Sequence, residues 1–111
     1  MASIFSKIIA REIPAKIGYE DDDYIAIHDI DPKAPVHVLV IPKREVASLN
    51  DLSPGDEQLI GGMFLVAQKL MKELGHSDYR TVFNCGPKAG QSVFHIHLHV
   101  LAGRQMNWPP G

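Results

Sequence analysis

Ser92-Val93-Phe94-His95-Ile96-His97-Leu98-His99-Val100-Leu101 alternates imidazoles with apolar side chains. Successive side chains of a strand point to opposite faces. This period of two therefore predicts a strand with three histidines on one face and Phe94, Ile96, Leu98 and Val100 on the other. One face packs; the other does chemistry or binds something. An unperturbed pKa of about 6.5 lets histidine serve near neutral pH as nucleophile, acid, base or metal ligand.

Upstream of this stretch, Tyr79 to Asn84 reads as another strand, joined to the histidines by the loop Cys85-Gly-Pro-Lys-Ala-Gly90. Before it, Ser53 as N-cap, Pro54 at the first helical position and Asp56 in the first turn predict a helix. Its apolar face holds Leu59, Ile60, Met63, Phe64, Ala67, Leu70, Met71 and Leu74, and Gly75 ends it. Val36 to Ile41, a run of branched residues stopped by Pro42, reads as a buried central strand in which His37 is the one polar residue. Ile30 to Pro35 is a loop, and Ile17–Glu20 and Tyr24–His28 form a hairpin around Asp21-Asp22-Asp23. A short amphipathic helix from about Ile4 to Arg11, with Phe5 and Ile9 inward, is stopped by Pro14. The order helix, three strands, helix, two strands and irregular tail 103–111 predicts an α+β fold. Its mostly antiparallel sheet is expected to carry both helices on one face.

A length of 111 residues with 45% hydrophobic content fits one domain spanning 1–111. A net charge of -2 with scattered Lys and Arg excludes general attraction to nucleic acid or an acidic membrane. The single Cys85 excludes an internal disulfide framework and suits a reducing compartment. The start, Met-Ala-Ser-Ile-Phe-Ser-Lys, lacks a long apolar segment, and no run of 18 apolar residues occurs, so cytoplasmic residence is expected.

His28 and His76 read as ordinary satisfied or exposed rings. Three histidines in register need more than a structural reason. Metal binding is one, but residues i and i+4 of a strand lie about 13 Å apart, whereas a zinc–nitrogen bond is about 2.1 Å, so three rings converge poorly on one ion. Two could bind, with His37 as a further ligand. Nucleophilic catalysis at an electrophile such as phosphorus is the other, with one ring attacking and its neighbours holding oxygens or protonating the departing group. The loop Gly86-Pro-Lys-Ala-Gly-Gln-Ser92 offers small residues, a cation and a hydroxyl to an oxyanion, without the order of a Walker loop. A nucleotide-responsive interaction module remains a third possibility.

His95-Ile-His-Leu-His-Val-Leu101 resembles the signature of the histidine-triad superfamily, and the rest of the chain resembles its nucleotide-binding phosphoramidase branch. The likeness extends over Ile4–Ala15, His28–His37, Val40–Lys43 and Gly90–Gly111, including the tail Gly103-Arg-Gln-Met-Asn-Trp-Pro-Pro-Gly111. It implies a five-stranded sheet with two helices, joined to a second sheet in a homodimer, and no cofactor or metal. It further implies hydrolysis of purine nucleoside phosphoramidates, such as adenosine monophosphate linked to an amine. His97 would be the nucleophile, with His95, His99 and His37 completing the catalytic cluster. Ser92 would hold the phosphate or leaving nitrogen, with Asn84, Gly90 and Gln91 close by. Asp29 would accept from the ribose hydroxyls, and Ile30, Phe5 and Ile27 would wall the base. Trp108 would reach toward the partner's site. Ile27, Phe94, Cys85 and Asn107 depart from the usual family residues, which bears on base and leaving-group preference.

Overall fold

The computed structural model describes residues 3–111. Met1 and Ala2, counted in the expected 1–111 unit, lie outside it. Two helices, α1 (Ile4–Ile9) and α2 (Glu57–Glu73), accompany five strands: β1 (Ile17–Glu20), β2 (Tyr24–His28), β3 (Val36–Pro42), β4 (Tyr79–Val82) and β5 (Leu98–Ala102). The sheet order is β1-β2-β3-β5-β4, and all four pairings are antiparallel. β3 is thus the central strand, as its branched run predicts. Asp21 closes the β1–β2 hairpin by accepting the N–H groups of Asp23 and Tyr24.

The helices lie on opposite faces of the sheet, which corrects the expectation of one face. Alternation along β2 and β3 gives both faces apolar side chains. Ala26, Val38 and Val40, with Leu98 and Val100 of β5, pack against Met63, Val66, Ala67, Leu70 and Met71 of α2. Ile25, Ile27, Leu39 and Ile41 pack against Phe5 and Ile8 of α1. Because α1 is only six residues long, it covers part of its face and leaves room beside it.

Four boundaries also move. β4 stops at Val82 rather than Asn84 because its partner β5 begins at Leu98, beside the His99 that pairs with Val82. α1 ends at Ile9, and Arg11 adopts φ 64°, a left-handed turn that stops the helix before Pro14 is reached. α2 starts at Glu57 with Asp56 as N-cap, because Gly55 at φ 105° interrupts any helix begun at Pro54. Phe64 and Leu74, placed on its apolar face from spacing, are exposed. β5 starts only at Leu98, so His95 and His97 precede the strand rather than belong to it. Two causes act there: β3 ends in Pro42, which has no N–H to continue the ladder, and the local chain instead bonds Ile96 N–H to the Val46 carbonyl. The alternation survives in part, since Ile96, Leu98 and Val100 are core while Phe94 is exposed. Among the described residues, no helix is long and apolar enough to cross a membrane.

Candidate active site

Alternation places His37 of β3 and His99 of β5 on the α1 side of the sheet, where Asp29 follows the end of β2. Backbone partners then fix which ring nitrogen carries the proton. His37 Nδ1 accepts the Lys33 N–H at 3.0 Å, so the neutral ring has its hydrogen on Nε2. That Nε2–H donates to His99 Nδ1 at 2.9 Å, which leaves the proton of neutral His99 on its own Nε2. Asp29 Oδ2 stands 3.5 Å from His37 Nε2 and favours this polarity.

His95 is fully buried. Its Nε2–H donates to the Pro42 carbonyl at 2.8 Å, and its Nδ1 accepts the Ser3 hydroxyl at 2.8 Å. His97 donates Nδ1–H to the His95 carbonyl at 2.8 Å. A carbonyl can only accept, so His97 Nε2 keeps its lone pair. The Phe5 ring meets His97 edge-on at 4.9 Å, and His97 and His99 lie 5.1 Å apart by ring centroids.

Burial favours the uncharged form of these rings. It lowers the pKa of His97 and of His37 and, helped by the charges His97 and His37 would carry, takes His99 down to about 4. His37, His97 and His99 are therefore neutral at pH 7, with a nucleophilic nitrogen on His97 and an N–H donor on His99.

A cavity of about 380 Å³ lies between α1, the segment Ile13-Pro14-Ala15 and the sheet. Phe5, Ile27, Asp29, Ile30, Ser92, His97 and His99 line it, so the structure brings together these seven of the residues singled out from sequence. His37 and His95 sit behind the lining rings. Gln91 is buried as a strut: its Oε1 accepts Gly86 N–H, and its Nε2 donates to the carbonyls of Ala47 and Val93. Asn84 and Gly90 adjoin each other beside that strut, where a Cβ on Gly90 would stand 3.6 Å from the Asn84 amide nitrogen. Trp108 is 81% exposed and does not line the cavity. Sequence reading missed Ile13, Pro14, Ala15, Leu39, Val93 and His28, which also line it. The apolar run after α1, assigned to no strand, was the available signal.

Asp29, His37 and His99 present ligand atoms within 4.8 Å of one another, a spacing open to a metal ion. The donors fit one poorly. Ligation through His37 Nε2 would require that nitrogen to lose its proton to Nδ1, so it would break the His37–His99 bond and strip the Lys33 N–H of its acceptor. The arrangement suits proton sharing better.

The family model described as scavenger mRNA decapping enzyme C-terminal binding matches residues 2–108. An uncharacterized HIT-like protein of Synechocystis is 52% identical over 110 residues, covering 98% of this chain and 96% of the relative. This chain belongs to the HIT, or histidine triad, family. The fold of this HIT protein superposes with a TM-score of 0.96 on a HIT family hydrolase from Legionella pneumophila, at 46% identity over 99% of this chain and 100% of that one. It is also similar to a histidine triad nucleotide-binding protein from Candida albicans, with a TM-score of 0.80 and 31% identity over 97% and 83% of the two chains.

Proposed function

We propose that this HIT protein is a nucleotide-binding hydrolase that cleaves the P–N bond of purine nucleoside phosphoramidates, of the kind that joins adenosine monophosphate to an amine. One observation carries the reading: the His97 Nδ1–H bond to the His95 carbonyl leaves Nε2 unprotonated on a ring that lines the cavity. In the first step His97 Nε2 attacks phosphorus, the P–N bond breaks, and the amine departs with a proton. His99 Nε2–H, held in that tautomer by the His37 bond, is the donor placed to supply that proton. In the second step water attacks phosphorus, gives a proton to His99 Nε2 in place of the one spent on the amine, and breaks the P–Nε2 bond, releasing the nucleoside monophosphate and a neutral His97. Ser92 would hold the phosphate oxygens or the leaving nitrogen, and Asp29 the ribose hydroxyls. Ile30, which is 99% exposed at the cavity mouth, would close on the base with Phe5 and Ile27. The related hydrolase and nucleotide-binding protein support the coarse class.

The test is turnover of an adenosine phosphoramidate by the wild type and His97→Ala. The variant should lose about 10³-fold or more, together with the covalent nucleotidyl adduct seen by intact mass. Turnover retained by the variant would overturn the assignment.

We further propose that residues 1–111 act as one domain, paired in a cytoplasmic homodimer through the α2–β4 side. β4 is a sheet edge, and Leu65, Phe64 and Tyr79 leave apolar surface exposed beside it, with Leu65 at 67%. Trp108 would then contact the second copy. Sedimentation of the protein at the mass of one 12.3 kDa chain would rule the dimer out, and recovery outside the cytoplasmic fraction would rule out the location.

A further inference from the structure

Glu45 does not line the cavity, yet two polar groups at the start of the chain and the buried His95 ring meet it. Its Oε1 accepts the Ser6 hydroxyl and, at 3.3 Å, the Ser3 N–H, and it stands 3.6 Å from His95 Nδ1. Among the described residues, no lysine or arginine pairs with it, and the Ser6 bond holds its carboxyl below the usual carboxylate range. Ser3 is the N-cap of α1: its hydroxyl accepts Ser6 N–H at 3.0 Å while donating to His95 Nδ1. Every side-chain hydrogen bond between the first turn of α1 and the sheet side of the molecule ends on Glu45 or His95. A helix of six residues is unstable alone, so these ties and the packing of Phe5 and Ile8 are what hold it.

We propose that Glu45 is a positioning residue for this site: through Ser3 and Ser6 it clamps the first turn of α1 against His95, and thereby fixes the Ile4–Phe5 wall of the cavity over His97. The clamp acts on binding more than on chemistry, because the bonds that set the His97 and His95 rings, to the carbonyls of His95 and Pro42, do not include Glu45.

The inference rests on the nucleotide reading for its kinetic arm only. Glu45→Ala is expected to raise KM for an adenosine phosphoramidate, and Kd for adenosine monophosphate, by about fivefold, since each hydrogen bond lost is modest. The value of kcat should stay within about threefold. In the nucleotide-free protein, amide exchange over Ile4–Ile9 should quicken about tenfold, with α2 unchanged. Glu45→Gln keeps an oxygen that accepts from both serines and should restore all three quantities to within about twofold. Unchanged exchange in Glu45→Ala overturns the clamp, as does a Glu45→Gln protein as impaired as Glu45→Ala, which would assign the effect to charge. A wild type that neither binds nor turns over nucleotide would sink the functional reading while leaving the exchange result to decide the clamp.

Discussion

His95 and His97 each commit one ring nitrogen to a backbone carbonyl, and His37 commits one to a backbone N–H. Three main-chain groups thereby select the ring tautomers of the cluster, and burial lowers the pH at which His37, His97 and His99 take up a proton. The unperturbed ring would be half protonated near pH 6.5. With the pKa of His97 lowered, its lone pair persists into mildly acidic solution, so kcat/KM for an adenosine phosphoramidate should be level from pH 8 to below 6.5. It should then fall toward pH 4 as His97, and near pH 4 His99, take up protons. The rings are coupled, so the limb belongs to the cluster rather than to one residue. An enzymatic rate that rises on acidification, after subtraction of the uncatalysed rate, would contradict a neutral nucleophile. The sequence marks these histidines clearly, because their spacing survives as alternation between core and cavity. It does not disclose their tautomers. Those depend on Pro42, 53 positions from His95, and on Ser3, 92 positions away, which only the closed sheet brings near.

Hydrophobic period, capping residues and prolines identify the elements well where one cause dominates: Pro42 ends β3, and Asp21 turns the hairpin. They mislead where two causes compete. At the start of α2, Pro54 favours a first helical turn, but Gly55 at φ 105° and the bond from Asp56 N–H to the Ser53 carbonyl make a separate turn instead. The facing of α1 was beyond reach from spacing alone, since β2 and β3 are apolar on both sides. The seat of α2 on the hairpin offers a direct measurement. Gly62 lies under Tyr24, whose hydroxyl donates to the Leu59 carbonyl at 2.7 Å, and a Cβ at Gly62 would fall 2.1 Å from that oxygen and 2.7 Å from Cζ. Gly62→Ala gains about 1 kcal/mol of helix propensity. Against this stand the lost hydrogen bond, about 1 kcal/mol, and displacement of a half-buried ring, roughly 1–3 kcal/mol. Packing should win by about 1–3 kcal/mol, lowering Tm by roughly 4–20 °C. A higher Tm in the variant would show that Tyr24 swings aside freely.

Across the molecule, the thick α2 layer and the short α1 leave the central strands sealed on one side and open to a cavity on the other. The histidines therefore sit in a partly dehydrated place without being lost to the core. That placement has a thermodynamic consequence, because His28, His37, His97 and His99 all have folded pKa values below the unfolded value of about 6.5. Burial is the first cause for each. A histidine whose folded pKa is depressed binds fewer protons when folded, so the stability it contributes is complete above pH 6.5. That contribution is lost as pH falls toward the folded value, about 4 for His99. The carboxylates that gain from folding, Glu20, Glu45 and Asp56 among them, lose their contributions lower, as pH falls through values below the usual carboxylate range. The two windows separate. Tm should hold steady from pH 8 to 7 and decline between about 6.5 and 4.5, before most carboxylates protonate. His99→Asn removes the most strongly shifted ring and should flatten that decline, whatever it does to Tm at pH 8, because an amide does not titrate. A wild-type Tm unchanged between pH 7 and 5, or a variant with the same slope, would mean that the cluster opens to water and charges without cost.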